Sequence, residues 1–238
     1  MSAEPSSSGF STTRWTLVRE SRGDATSAKQ ALSDLCAAYY APVVTFIARS
    51  GFEEGRARDL AHDFFARVLS SSQTLRADRG RGRFRSYLLG AVKHFVSDTL
   101  DRERAIKRGG GGEKWEHLTE TGMPLPDDSV PAPDRAFDRQ WALTLLDRVL
   151  EQLASEFDAS EKTTHFALLK PWLTGDDGDL SQAEIARRLG MNEGAVKVAI
   201  HRLRKRFREM VKAEIAQTTG ETEVHDELNH LVSILASR

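Results

Sequence analysis

The sequence holds a single cysteine, Cys36, among 238 residues. One cysteine excludes an internal disulfide framework and any metal site built from several cysteines. Long apolar runs are also missing. The longest, residues 39–48, is interrupted by Pro42 and Thr45 and falls well short of the roughly 18 residues that would predict a membrane span. No basic segment followed by an apolar stretch opens the chain, as it would in a signal peptide. These absences predict a cytoplasmic protein without a membrane span.

Catalytic and metal-binding patterns are scarce as well. His62 with Asp63, and His94 with Asp98, each supply two potential metal ligands, but no third ligand follows at a suitable spacing. Cys36 lies on an apolar stripe and reads as a buried thiol. The sequence therefore predicts a protein that is not an enzyme and that holds no metal or cofactor.

Charge is present in nearly equal amounts of both signs, but it is unevenly distributed. The formal net charge is −1 overall, whereas residues 76–108 carry +6 and residues 185–212 carry +7. Residues 113–184 carry −10 and residues 213–238 carry −4. Local charge governs attraction to a polyanion within a Debye length of about 8–10 Å. The two basic blocks favour nucleic-acid binding, the alternative being two solvated helical faces.

Apolar residues recur at steps of three and four through most of the chain, and no period-two strand pattern is evident. This spacing predicts an all-α protein. The helical stripes cover residues 28–47 with a break or kink at Pro42, and then residues 57–69, 84–100, 137–153 and 166–173.

A linker divides these stripes into two small helical domains. Four consecutive glycines at 109–112 are followed by prolines among acidic residues, a composition typical of a flexible connection. The predicted order is an N-terminal extension over 1–27, a first domain over 28–108, a linker over 109–135, a second domain over 136–212 and an acidic amphipathic extension over 213–238.

Residues 181–208 carry the strongest local pattern, that of a helix-turn-helix. Ser181 and Glu184 form an S-x-x-E capping box, Gly190 suits the left-handed residue that ends a helix, and Asn192 suits the next N-cap. A short helix, a turn with glycine and a longer basic helix place the second helix in the DNA major groove. An ordinary helical hairpin is the alternative.

The N-terminal half of this second helix would face base edges, and the arginines that follow would contact phosphate. Arg206 and Arg208 belong to the phosphate-facing set. The other predicted DNA contacts are Asn192, Glu193, Lys197, Val198, His201, Arg202, Arg204 and Lys205.

Three segments together resemble the extracytoplasmic-function (ECF) class of the sigma-70 family. They are Asp59–Phe65, Phe84–Leu88 with the basic loop before it, and Glu193–Lys197. The resemblance covers about two thirds of the chain, over 28–108 and 136–212. It implies that the first domain binds the RNA polymerase clamp and opens the promoter, and that the second domain reads the upstream element. Residues 11–15 and 213–218 look like the ECF-like factors of Planctomycetes and their relatives.

The resemblance also assigns residues of the first domain to polymerase. The family's D-L-T-Q-E clamp-binding motif falls on Asp59–Asp63, with His62 in place of glutamine and Asp63 in place of glutamate. Helical geometry puts these polar residues opposite the Phe64 and Phe65 stripe. The predicted polymerase-binding face is formed by Arg56, Asp59, His62, Asp63 and Arg67.

Capture of a base flipped from the melted strand is implied for residues 79–102. Lys93 and His94 occupy the position where the family has an asparagine, which suggests an altered base preference. Phe84, Tyr87 and Phe95 sit at core spacing. The predicted contacts to downstream promoter DNA are Arg79, Arg81, Arg83, Arg85, Lys93, His94, Arg102 and Arg104.

Two functions follow from these patterns. The first is a sigma factor that directs RNA polymerase core enzyme to promoters, with an anti-sigma factor or kinase as a possible further partner. The second is a stand-alone helix-turn-helix transcriptional regulator. The C-terminal extension would pack on the second domain, bind a regulator or cover the basic recognition helix, since −4 complements +7.

Overall fold

The computed structural model describes residues 25–70, 83–109, 132–174, 180–219 and 223–236. These residues form helices and their connections and contain no strand, which confirms the all-α prediction. In chain order the helices are α1 Ala25–Arg49, α2 Glu54–Ser70, α3 Phe84–Gly109, α4 Pro133–Ala159, α5 Thr163–Leu169, α6 Pro171–Thr174, α7 Gln182–Leu189, α8 Glu193–Ala216 and α9 Val224–Ala236.

The chain divides into two compact units. Unit 1 comprises Met1–Trp141 and Ala216–Arg238, and unit 2 comprises Ala142–Ile215. Helix α4 therefore starts in unit 1 and continues into unit 2, and the end of the chain belongs to the same unit as its beginning. The predicted extension over 1–27 and the predicted linker over 109–135 lie largely outside the described residues.

Helix α1 is the central helix of unit 1, and aromatic rings join it to two other helices. The Tyr39 ring lies edge-on to Phe84 of α3 at 5.1 Å and stacks near Phe137 of α4 at 6.4 Å, measured between ring centroids. All three side chains are almost completely buried. Aromatic pairs of this kind add about 0.5–1.5 kcal/mol each beyond the area they bury. The apolar stripes of the first half thus enclose one core.

The sequence predicted a break or a kink at Pro42, and of these two the break does not occur, because α1 runs from Ala25 to Arg49 with Pro42 inside it. A proline inside a helix costs about 3 kcal/mol, since it removes one backbone hydrogen bond and crowds the preceding turn. Tyr39 and Val43, on either side of it, are both essentially inaccessible to solvent. Burial of the stripe outweighs the local penalty, so the helix continues.

One stretch of α1, Gln30–Arg49, is long and apolar enough to cross a membrane by length and composition alone. Half of that stretch is buried inside the protein. The contiguous apolar run of the sequence is short because Pro42 and Thr45 interrupt it, although the average over the whole helix is apolar.

Cys36 faces the interior of unit 1, as its place on the apolar stripe predicted. Its side chain is buried, and this burial raises the pKa of the thiol to about 12. The thiolate is the reactive form of cysteine, so the side chain is neutral and unreactive at physiological pH.

The C-terminal segment completes unit 1. Thr218 and Thr219 are buried, and the Thr218 carbonyl accepts a hydrogen bond from the Phe84 backbone N–H at 3.1 Å, at the first turn of α3. Glu227 and Leu231 are the buried residues of α9. For this segment the sequence predicted packing on the second domain, binding of a regulator or cover of the recognition helix. The segment belongs to the first unit, so the predicted packing on the second domain is wrong.

Unit 2 builds its core from short helices around α8. Phe166 and Leu169 of α5 are buried, and the Phe166 ring lies 5.3 Å from that of Phe157 on α4. Ile185 of α7 and Ile200 of α8 are also buried. Each helix of the helix-turn-helix thus buries an apolar residue in the core of unit 2.

We expect Leu35→Ala to destabilise unit 1 strongly. Leu35 is fully buried in the middle of α1, so the substitution leaves a cavity and should lower the free energy of unfolding by about 2–5 kcal/mol. Urea denaturation followed by far-ultraviolet circular dichroism measures this loss.

Ser33→Ala is the matched control, because Ser33 is exposed on the same helix. Its effect should stay within about 0.5 kcal/mol. Equal effects of the two substitutions would contradict the placement of the α1 stripe in the core.

Candidate nucleic-acid interface

The first helix of the helix-turn-helix starts at a cap supplied by Ser181. The Ser181 hydroxyl accepts a hydrogen bond from the Glu184 backbone N–H at 3.2 Å, with the Ser181 backbone extended. The reciprocal half of the predicted capping box is not used, because the Glu184 carboxylate pairs with Arg187 and Arg188 of the same helix. Hydrogen bonds from these two guanidinium groups lower the pKa of Glu184.

The turn is formed by Gly190, Met191 and Asn192. Gly190 has a φ of 64°, the left-handed conformation predicted for it, and the Met191 N–H donates to the Ala186 carbonyl at 2.8 Å. Asn192 then caps α8, since its Oδ1 accepts a hydrogen bond from the Ala195 N–H at 2.8 Å. These bonds satisfy backbone groups at both helix ends and fix the direction in which α8 leaves the turn.

Helix α8 exposes the residues predicted to reach DNA. Arg204 donates from Nε to the Trp172 carbonyl at 3.0 Å, and Lys205 lies 3.9 Å from Glu209. The predicted DNA contacts of this unit that are exposed are Asn192, Glu193, Lys197, Val198, His201, Arg202, Arg204 and Lys205. Asn192 serves at the same time as the N-cap of α8.

Arg206 is engaged within unit 2, by Glu156 at the end of α4. Its Nε donates to Glu156 Oε2 at 3.0 Å, and a second guanidinium nitrogen contacts Oε1, so the pair is bidentate. Hydrogen bonding to Arg206 lowers the pKa of the Glu156 carboxyl. This residue of the phosphate-facing set is therefore fixed on the protein rather than pointing freely to solvent.

Val198 is half-exposed and opens onto a groove of about 720 Å³ in unit 2. Phe157, Leu169 and Met191 contribute apolar surface to the same groove, and Arg202 lies at its border. The sequence predicted that Val198 contacts base edges. In the structure its neighbours in the groove include several apolar side chains.

In unit 1, the predicted polymerase-binding face lies on the exposed side of α2. The buried residues of that helix are Ala57, Leu60, Ala61, Phe64, Phe65 and Val68. All five predicted residues of the face, Arg56, Asp59, His62, Asp63 and Arg67, are exposed.

Three members of this face are held by neighbouring side chains. The Tyr40 hydroxyl is 3.0 Å from His62 Nε2, with the two rings stacked at 5.2 Å. Arg56 lies 3.4 Å from Glu103 of α3, and the Arg67 guanidinium lies 5.0 Å from the centre of the Phe95 ring. Sequence reasoning missed the contact of Tyr40 with His62, although the neighbouring Tyr39 lies on the predicted apolar stripe of α1.

The residues predicted for downstream promoter DNA divide into four groups. Lys93, His94 and Arg102 are exposed on α3, where Lys93 pairs with Asp134 of α4. Arg104 is partly exposed and lies 3.3 Å from Asp101. Arg79 and Arg81 fall outside the described residues, and Arg83 and Arg85 lie at the start of α3.

Arg83 and Arg85, which we call the guanidinium pair, are held by carboxylates from distant parts of unit 1. Arg83 Nη1 lies 2.7 Å from Glu227 Oε2, and Arg85 Nε lies 2.6 Å from Glu227 Oε1. Arg85 also contacts Asp138 of α4 and stacks on Trp141 at 5.2 Å. Only 6% of Arg85 is exposed, so in this conformation its charge is used inside the protein.

The carboxylates compensate the charge of this buried arginine. Burial alone would lower the pKa of Arg85, but the hydrogen bond and the charge of Glu227, together with Asp138, hold its pKa above the usual value. Asp138 Oδ2 also lies 3.3 Å from His230 Nε2. Sequence reasoning gave neither Glu227 nor Asp138 a role, because nothing local marks a carboxylate whose partner lies 142 or 53 residues away.

Among the described residues, no three histidine, cysteine, aspartate or glutamate side chains are grouped as metal ligands would be. Within each unit, the polar groups are instead paired with other groups of the same unit or exposed on helix faces. Their arrangement suits contact with a charged polymer or a protein surface.

Residues 176–207 match the family model described as Sigma-70, region 4. The matched segment contains α7, the turn and the first part of α8. Comparison with curated proteins and with solved structures gave no match. The helix-turn-helix of unit 2 is therefore similar to a DNA-binding segment of transcription initiation factors.

We expect Gly190→Ala to destabilise unit 2. No heavy atom lies within 4 Å of the added methyl group, so its cost comes from the left-handed backbone, about 1–2 kcal/mol. Thermal unfolding should show a lower midpoint, and duplex DNA binding should weaken as the turn loses its geometry.

Gly90→Ala provides a control of opposite sign. Gly90 lies inside α3 with open space around its Cα, and alanine in a helix interior is about 0.5–1 kcal/mol more favourable than glycine. If both substitutions changed stability in the same direction, the left-handed conformation of Gly190 would not be the cause of the effect of Gly190→Ala.

Proposed function

We propose that the protein is an RNA polymerase sigma factor of the ECF type, which directs core polymerase to specific promoters and opens the DNA there. The single observation that carries the proposal is the helix-turn-helix over residues 181–208, where the capped geometry and the region 4 match coincide. Unit 1 supplies the contacts to polymerase and to the melted strand that a DNA-binding protein alone would lack.

Unit 2 would read the upstream promoter element. Helix α8 begins at an asparagine cap and presents Lys197, His201 and Arg202 from its first turns. A helix in this position reaches base edges from its N-terminal half and phosphates from its flanks. Its basic residues supply affinity that does not depend on sequence, and the N-terminal positions supply discrimination.

Unit 1 would bind core polymerase and the melted strand. The face of α2 with Asp59 and Asp63 is exposed and opposite the buried stripe, so it is available to a partner helix. Lys93 and His94 form a basic exposed surface on α3, the helix that follows α2 in the sequence. A basic groove holds a single strand through its phosphates, and stacking on a base adds about 1–3 kcal/mol.

In this proposal the protein carries no chemistry of its own. Polymerase performs the synthesis, and the sigma factor contributes binding and strand opening without a metal or cofactor. The partners are core polymerase and promoter DNA in the cytoplasm, with regulation by an anti-sigma factor or a kinase. Resemblance to the factors of Planctomycetes belongs to the same proposal.

A stand-alone helix-turn-helix regulator is the second candidate, favoured by the fact that the family match covers only residues 176–207. Co-purification with core polymerase, followed by initiation at a candidate promoter in vitro, separates the two. A sigma factor binds the core enzyme and changes its promoter choice, whereas a regulator binds DNA without doing either.

Charge reversal on α2 should disrupt polymerase binding. We expect the double variant Asp59→Lys, Asp63→Lys to weaken core-enzyme affinity at least tenfold, because like charges facing a partner cost several kcal/mol. Duplex binding by unit 2 should be retained. Affinity capture with purified core polymerase measures the first effect, and a duplex titration measures the second.

The matched control is Asp147→Lys, Glu151→Lys on α4, which has the same charge change and the same spacing on an exposed face of unit 2. It should leave core binding within a factor of about two, as expected for surface charges away from the contact. Equal losses in both variants would show that net charge, rather than the α2 face, governs the interaction.

Arg202→Ala should remove one phosphate contact from the upstream complex. Because each phosphate contact contributes about −0.9 to the slope of log affinity against log salt on duplex DNA, the slope should become shallower by about one. Core-polymerase binding should be unaffected. Fluorescence anisotropy over a salt series gives the slope.

Arg58→Ala removes a charge of the same sign from α2, where Arg58 pairs with Glu54 on the surface. Its salt slope should equal that of the unaltered protein. An unchanged slope for Arg202→Ala would place Arg202 outside the DNA contact.

A further inference from the structure

Glu227 connects both members of the guanidinium pair. Its Oε1 lies 2.6 Å from Arg85 Nε, and its Oε2 lies 2.7 Å from Arg83 Nη1. Asp226 adds a longer contact of 3.6 Å to Arg83. Two oxygens of one anion, each facing a different arginine, reproduce the way in which a phosphodiester offers its two non-bridging oxygens.

Helix α9 buries one apolar side chain, that of Leu231, whereas Val232 is 58% and Leu235 is 37% exposed. Its other large apolar side chains are partly buried, and His230 contacts Asp138. A helix of 13 residues is marginal in water by itself. Its attachment therefore depends on these contacts together with the ion pairs of Glu227, and a buried ion pair roughly breaks even against the cost of removing both charges from water.

The chain before α9 is more firmly fixed. Thr218 and Thr219 are buried, and Thr218 bonds to the first turn of α3. The segment with Thr218 and Thr219 can therefore stay bound to unit 1 while α9 detaches. Because this segment holds the detached helix nearby, α9 has a high effective concentration for rebinding. An element with few buried apolar contacts is the kind that opens locally without global unfolding.

We propose that the guanidinium pair is a phosphate-binding site of unit 1, that Glu227 occupies it in the free protein, and that single-stranded DNA displaces α9 to reach it. The inference rests on the proposed function, which places Arg83 and Arg85 on the melted promoter strand. It adds an intramolecular competitor, so the free protein binds a strand weakly, and the strand and α9 exclude each other at this site.

The first experiment compares oligodeoxythymidine binding by the full chain and by Glu227→Gln. Glutamine keeps the shape of the side chain and removes the competing charge. We expect affinity at low salt to rise roughly fivefold or more, and the salt slope to steepen by about 0.7 for each arginine released to a phosphate. Adding Arg83→Ala to this variant should reverse part of the gain.

The control is Glu54→Gln, which makes the same change in net charge on the exposed surface of α2. It should change oligonucleotide affinity less than twofold. Equal changes in Glu227→Gln and Glu54→Gln, or no change in either, would overturn the proposal and leave α9 as a packing element.

Hydrogen exchange on the unaltered protein decides the matter even when Glu227→Gln does not fold. Saturating oligodeoxythymidine should speed exchange of the α9 amides and leave the α1 amides unchanged. Unchanged or slower exchange in α9 would overturn the proposal. Core-polymerase capture is measured independently of this exchange experiment. A failure of the sigma-factor proposal can therefore be distinguished from a failure of this one.

Discussion

A buried arginine determines how unit 1 is assembled. Arg85 lies at the start of α3 and is almost inaccessible to solvent, and an arginine cannot lose its charge to relieve this burial. The positive charge must be matched by carboxylates, which come from Asp138 on α4 and Glu227 on α9. Removal of either carboxylate leaves the buried guanidinium group with one counter-charge fewer, which destabilises unit 1. Three segments that are distant in sequence are thereby held at one point.

The sequence predicted local structure well wherever a short-range rule applies. Ser181, Gly190 and Asn192 each take the capping or turn role expected of them, because caps and left-handed turns depend on a few adjacent residues. The apolar stripes of α1 and α2 are likewise largely buried as their spacing predicted, whereas Leu69, at the end of the second stripe, is 39% exposed. Pro42 is the exception, since tertiary burial of the surrounding stripe outweighs a local penalty that the sequence alone displays.

The candidate site was less predictable, because charge partners are chosen across long separations. The sequence predicted that Arg83, Arg85 and Arg206 contact DNA, because they are basic residues of the two basic blocks. Whether each points to solvent or to a carboxylate depends on Glu227 and Glu156, which no motif marks. From the segment charges, the sequence analysis matched the −4 of the tail with the +7 of residues 185–212. In the structure the tail pairs instead with the first basic block, through Glu227 and the guanidinium pair.

The division of the chain has a consequence for its synthesis. Unit 1 is made of residues from both ends of the chain, with unit 2 encoded between them. A ribosome adds about 5–20 residues per second, and domains generally fold as units while the chain emerges. Unit 2 therefore has all its residues before unit 1 does, although unit 1 starts first. Arg85 remains without Glu227 until unit 2 has been translated, so the nascent first unit stays incomplete throughout that interval.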